Sequence, residues 1–165
     1  MSGLLRAVAV VAAVAMLWTG AASRVAATSR LPIAAVVRGA VVAQPFGCST
    51  LTLEPFDPYC PTRHFHSGVD LAAPQGTTVY SATAGHATSG YDEKGCGLYV
   101  AVTVDAGVRV LYCHLHRASF VSGDVVAGDV IGEVGSSGLA TGPHLHLEVD
   151  VDGRAIDPVR WLAAP

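Results

Sequence analysis

Apolar residues recur at every second position through much of the chain's second half. In His144–Val151 (His-Leu-His-Leu-Glu-Val-Asp-Val) leucine and valine alternate with polar side chains, the period of a strand buried on one face. Thr78–Ala82, Leu98–Val104, Val108–Leu115 and Val130–Val134 are likewise rich in β-branched and aromatic residues and read as strands. Asp105-Ala106-Gly107 supplies a hairpin turn between two of them. A helical period is visible only in the short tail Pro158–Ala163. These patterns predict an all-β fold, a single compact antiparallel β-sheet domain.

The beginning of the chain follows a different pattern. Arg6 is followed by an apolar run from Ala7 to Trp18 and then by the small residues Gly20, Ala21, Ala22 and Ser23. This is signal-peptide architecture, and a leader over residues 1–27 is expected, cleaved after Ala22 or Ala27. A retained leader would instead tether the protein to a membrane. Residues 28–41 read as a linker, the first strand lies near Ala40–Gln44, and the domain is expected over 42–165.

Composition narrows the class. With 165 residues there is room for one core, and 51% hydrophobic against 14% charged residues, with 18 glycines and 9 prolines, suits a turn-rich β protein and excludes disorder. From Leu31 onward seven basic and thirteen acidic residues give a formal charge of −6. Without a basic cluster, no nucleic-acid partner is expected.

Three segments carry candidate chemistry. His144 and His146 share one strand face; so, in extended form, do His66, Gly68 and Asp70, and so do Tyr112, His114 and His116. Each segment alone is ordinary strand polarity, whereas three together point to a metal site. Two imidazoles and one carboxylate leave a coordination position open, which is the pattern of catalytic rather than structural zinc. No His-Glu-x-x-His helix is present, so imidazoles must act as the base. Glu148 shares the face of His144 and His146 and is either an outer partner of a ligand or a solvent-facing carboxylate, and it is left out of the site. His64, His86 and His116 read as surface or outer histidines.

His66-x-x-x-Asp70, Tyr112-x-His114-Leu115 and Gly142-Pro-His-Leu-His146, joined by Gln44-Pro-Phe-Gly47, Asp70-Leu-Ala-Ala-Pro-Gln-Gly-Thr77, Gly135-Ser-Ser-Gly138 and Gly153-Arg-Ala-Ile-Asp-Pro158, make the chain resemble the lysostaphin-like (LytM-type) zinc metallopeptidases that cut peptidoglycan peptides. The resemblance runs from about residue 42 to the end. It implies that His66, Asp70 and His146 are the zinc ligands and that His114 and His144 are the catalytic pair acting on the water. It also implies a narrow groove over the metal, rimmed by the loops at 89–97 and 135–142. The expected activity is that of an exported zinc metalloendopeptidase hydrolysing peptidoglycan peptides. The alternative is a non-catalytic wall-binding or regulatory module of the same fold that controls another hydrolase. Occupation of all five site positions by suitable residues favours the enzyme. A monomer, secreted or held in the cell envelope, is expected. The four cysteines form no Cys-x-x-Cys pair and read as disulfides, Cys48 with Cys60 and Cys96 with Cys113, because these lie close in the predicted topology.

Overall fold

Alternation along His144–Val151 buries Leu145, Leu147 and Val149 completely and turns His144, His146 and Glu148 to the opposite face. The computed structural model describes residues 30–164 apart from 106, 120 and 121, so the leader expected over 1–27 lies outside the described residues. In chain order the elements are α1 (Ile33–Val36), β1 (Val41–Gln44), β2 (Gly47–Ser49), β3 (His64–His66), β4 (Gly68–Ala72), β5 (Thr78–Tyr80), β6 (Gly85–Asp92), β7 (Gly97–Asp105), β8 (Val108–Cys113), β9 (Leu115–Ala118), β10 (Ser122–Val125), β11 (Val130–Val134), β12 (His144–Val151), β13 (Arg154–Ile156) and α2 (Pro158–Ala163). The large sheet runs β1-β4-β12-β8-β7-β6-β10, with β13 paired to β12; β5-β11-β9 form a second sheet and β2-β3 a hairpin. Every strand pairing described is antiparallel, and the all-β fold holds.

The three-stranded sheet covers one face of the large sheet. Val79, Ile131, Val134 and Leu115 from the small sheet join Val69, Leu71, Val100, Val102, Val110, Leu145, Leu147 and Val149 in one core. Tyr112 is buried there too, its hydroxyl accepting the Ala82 N–H at 2.8 Å. Helix α2, capped by the Asp157 carboxylate and opened by Pro158, contributes Leu162. The other face carries a smaller cluster, Ala101, Leu111 and Cys113 with Cys96 and Tyr99 against it, beside the polar residues of β12.

Three expectations change. The segment 28–41, read as a linker, contains α1 from residue 33, and Val36 and Val37 are 0% and 1% exposed in the main core. Residues 89–92, read as loop, continue β6; only Ala87 of that strand is buried, so hydrophobic alternation gave no sign of it. The strand expected over Val108–Leu115 breaks at His114, whose φ of 61° lies in the left-handed region. Tyr112, His114 and His116 therefore do not share a face: Tyr112 enters the core, His114 turns to the polar side of the sheet, and His116 is exposed. Both expected disulfides are present, with Cα–Cα distances of 5.4 Å for Cys48–Cys60 and 4.7 Å for Cys96–Cys113.

Candidate metal centre and groove

Strand pairing builds half of the site. His146 on β12 lies directly opposite Asp70 on β4, so both side chains leave the same face of the large sheet. His66 arrives separately, from the β2–β3 hairpin. His66 Nε2, Asp70 Oδ1 and His146 Nδ1 converge, with separations of 3.1 Å (His66–Asp70), 3.0 Å (His66–His146) and 2.9 Å (His146–Asp70). Three donors bonded to one tetrahedral zinc at about 2.0–2.2 Å lie roughly 3.3–3.5 Å apart, so a small outward movement around a central ion satisfies the geometry. Two nitrogens and a hard oxygen also match zinc chemically. Among the described residues this is the trio of donor side chains able to hold a metal.

The outer nitrogens of the two histidines are oriented as well. His66 Nδ1 donates to the Pro45 carbonyl at 2.9 Å, which aims Nε2 at the other two donors. His146 Nε2 faces Glu148 Oε2 at 3.8 Å, and that carboxylate accepts a hydrogen bond from Ser67 Oγ. Glu148 is thus an outer neighbour of His146 rather than a free surface carboxylate. Gly68 makes room for the ring: a Cβ there would lie 2.7 Å from His146 Cε1.

His144 and His114 complete a cluster of imidazoles. Their ring centroids are 4.7 Å apart, and His114 lies 5.9 Å from His146. His144 Nδ1 donates to the Gly142 carbonyl and His114 Nδ1 to the Ser137 carbonyl, each at 2.8 Å. Both rings therefore present Nε2 to the groove, and His144 Nε2 is 3.6 Å from Asp70 Oδ1. His114 is fixed further by its N–H, which donates to the Cys96 carbonyl at 2.7 Å, and by Ser137, whose hydroxyl donates to the Leu115 carbonyl. These main-chain acceptors have no sequence signature beyond the glycines of Gly135-Ser-Ser-Gly138.

The electrostatics of the cluster centre on the Asp70–His146 pair. Burial opposes ionisation of Asp70, but hydrogen bonds from His146 and His66 outweigh it and hold the carboxyl well below the usual carboxylate range. Burial also opposes charge on His146, yet its bonds to Asp70 and Glu148 win and push its pKa up to about 9. Without metal, a proton on His146 supplies the positive charge this pocket is arranged to hold. His114 behaves oppositely: burial pushes it down to about 4, so it is neutral at pH 7.

The centre lies in a groove of about 360 Å³. Gln44, Leu51, Leu53, Glu54 and Pro55 line it on the β1 side, and Lys94, Gly95, Cys96, Leu139 and Thr141 line it elsewhere. The second rim combines the β6–β7 turn with the 135–142 loop, which meet where Gly97 and Gly138 allow backbones to touch. Sequence reading anticipated both loops of that rim. It missed Leu51, Leu53 and Glu54, whose only signal is their position inside the loop closed by Cys48–Cys60.

A second polar constellation lies on β6 and β10. His86 bonds Asp124 at 2.8 Å and Ser122 at 3.1 Å, the connectivity of a nucleophile, base and acid. His86 and Asp124 side chains are 55% and 90% exposed, so water competes for every bond in the series. The arrangement carries no catalytic preorganisation.

Known proteins share the core of this architecture. The chain is 43% identical over 102 residues to the DD-carboxypeptidase/endopeptidase Mpg of Neisseria meningitidis serogroup B, covering 62% of this chain and 24% of that protein. It is 34% identical over 96 residues to the peptidoglycan DD-endopeptidase ShyA of Vibrio cholerae serotype O1, covering 58% and 22%. The chain thus spans about a quarter of the length of these curated relatives. The catalytic domain of lysostaphin from Staphylococcus simulans superposes with a TM-score of 0.62 at 28% identity, over 76% of this chain and 93% of that domain. Residues 64–158, which include every imidazole and carboxylate of the centre, match peptidase family M23, and the chain belongs to that family.

Proposed function

We propose that the chain is an exported zinc endopeptidase that hydrolyses peptide bonds in bacterial peptidoglycan. The observation that carries this reading is the convergence of His66 Nε2, Asp70 Oδ1 and His146 Nδ1 within 3.1 Å of one another, beneath two further imidazoles in an open groove. Bound by these three atoms, zinc would acidify a water and polarise a carbonyl. The chain's own contribution is proton handling. With Nδ1 committed to main-chain carbonyls, His114 and His144 each direct Nε2 toward the groove. One such nitrogen accepts the proton of the attacking water and returns it to the leaving amine. Glu148 and the Pro45 carbonyl orient the two ligand rings from behind.

Support for the substrate comes from relatives that bear endopeptidase names, among them a peptidoglycan DD-endopeptidase. Support for export comes from the two disulfides. The test incubates the oxidised, zinc-supplied protein with isolated peptidoglycan, counts new amino groups and weighs the released fragments. Release of peptides is expected, and its absence overturns the hydrolase reading. His146→Ala should lose both metal and activity. His114→Ala should keep its metal while turnover falls by about 10²–10⁴-fold. Equal metal loss in the two variants overturns the division of roles.

A further inference from the structure

The groove wall beside the metal centre carries a fixed carboxylate that takes no part in the chemistry above. Gln44, the last residue of β1, pairs directly with Asp70, so its side chain emerges on the groove face one strand, ~5 Å, from a metal ligand. Its amide donates to Glu54 Oε1 at 2.9 Å and to Ser49 Oγ at 3.2 Å. The main chain around Glu54 is equally constrained. His64 Nδ1 donates to the Glu54 carbonyl at 2.8 Å, the Phe65 N–H donates to the Pro55 carbonyl at 3.1 Å, Phe56 bridges to His64, and the Cys48–Cys60 disulfide closes the whole loop. Among the described residues, the Glu54 carboxylate enters no ion pair. An acidic side chain is thus held in the wall with one oxygen bound by a neutral amide and, among the described residues, no ion-pair partner, Lys94 of the same groove lying beyond ion-pair distance. Leu51 and Leu53 of the same loop also line the groove, 45% and 53% exposed. An apolar strip ending in a carboxylate complements an aliphatic stem ending in an ammonium group.

We propose that Glu54, positioned by Gln44, is a specificity-determining residue that binds the side-chain ammonium of a diamino acid next to the scissile bond, with Leu51 and Leu53 against its methylenes. This inference rests on the endopeptidase reading, because it names a substrate feature of that same groove. The residue adjoining the cleaved bond is the appropriate place, since Gln44 sets Glu54 one side chain away from the neighbour of Asp70.

The test uses two short peptides in which D-alanine at the scissile bond is preceded by lysine or by Nε-acetyl-lysine. Binding is measured by calorimetry on the zinc-loaded His114→Ala protein, and cleavage on the protein with His114 intact. The lysine peptide should bind about tenfold more tightly, the scale of one charge-assisted hydrogen bond. Adding Glu54→Gln should bring the two affinities together while leaving the acetylated peptide's unchanged, and Glu54→Lys should reverse the preference. A lysine preference that survives Glu54→Gln overturns the proposal, as does equal binding of both peptides by the protein that keeps Glu54. Selective binding without cleavage of these peptides supports the Glu54 subsite, and peptide release from isolated peptidoglycan then decides the hydrolase reading separately.

Discussion

Gly68 illustrates how a single missing methyl shapes the centre. It lies opposite Glu148 on the neighbouring strand, and a Cβ built on it would meet the Leu147 carbonyl and come within 2.8 Å of His146 Nε2. Ring motion alone cannot relieve the backbone clash, so the β4–β12 pairing must shift and carry the ring with it. Gly68→Ala should therefore cost roughly 1–3 kcal/mol of stability through overpacking, and should weaken zinc binding at least tenfold as His146 Nδ1 leaves its position. Zinc titration and urea unfolding of the variant check both, and unchanged affinity would show that the ring has room. At this scale the sequence was readable wherever alternation ruled. His144, His146 and Asp70 fall on one face as the period of two requires. His114 reaches the same cluster by a left-handed backbone conformation, which a non-glycine residue seldom adopts and no local motif announces.

Among the elements, the segment before β1 departs most from expectation. Five apolar or small residues over 33–37 are too few to display a period, and α1 has no side-chain cap to mark its start. Its tertiary contacts are nevertheless extensive. The Leu31 N–H donates to the Ala82 carbonyl, Val36 and Val37 are buried, and the Arg30 guanidinium stacks 3.9 Å from the Trp161 ring centroid while donating to the Trp161 carbonyl. A fragment beginning at residue 42 should be less stable than one beginning at 28 by at least about 3 kcal/mol, the loss of two buried valines at about 1.5 kcal/mol or more each. Comparison of urea midpoints measures this, and coincident unfolding curves would show that the segment contributes nothing. The strands were legible for the same reason that this segment was not. β11 and β12 occupy the spans their hydrophobic patterns predict, 130–134 and 144–151, because long alternating stretches leave little ambiguity.

For the molecule as a whole, the large sheet separates two environments, an apolar face under the small sheet and a polar face holding the cluster of imidazoles. The electrostatics of that face predict a definite pH response. In the metal-free protein His146 has a folded pKa of about 9, above its ordinary 6.5, so its contribution to stability is complete below pH 6.5 and is lost as pH rises through 9. His114 has a folded pKa of about 4, below 6.5, so its contribution is present above pH 6.5 and is lost as pH falls toward 4. The part of the metal-free protein's stability that these two groups supply is therefore greatest near pH 6.5. Zinc should flatten the alkaline side, since it requires neutral His146 and its apparent affinity gains about tenfold per pH unit below pH 9 as that single proton is displaced. Thermal unfolding at several pH values, with and without zinc, gives both curves. A metal-free maximum at pH 9 would contradict the charge assignment of His146.

The two disulfides lie on opposite sides of the groove, one closing the loop that presents Glu54 and the other joining the β6–β7 turn to the end of β8 beside His114. In a reducing compartment the same chain would carry four thiols, and both sides would lose their covalent bridge. Of the three converging donors, Asp70 and His146 stand on β4 and β12 of the large sheet, whereas His66 stands on β3, paired with the strand β2 that carries Cys48. Reduction would therefore loosen both walls of the groove and the strand pair that presents His66.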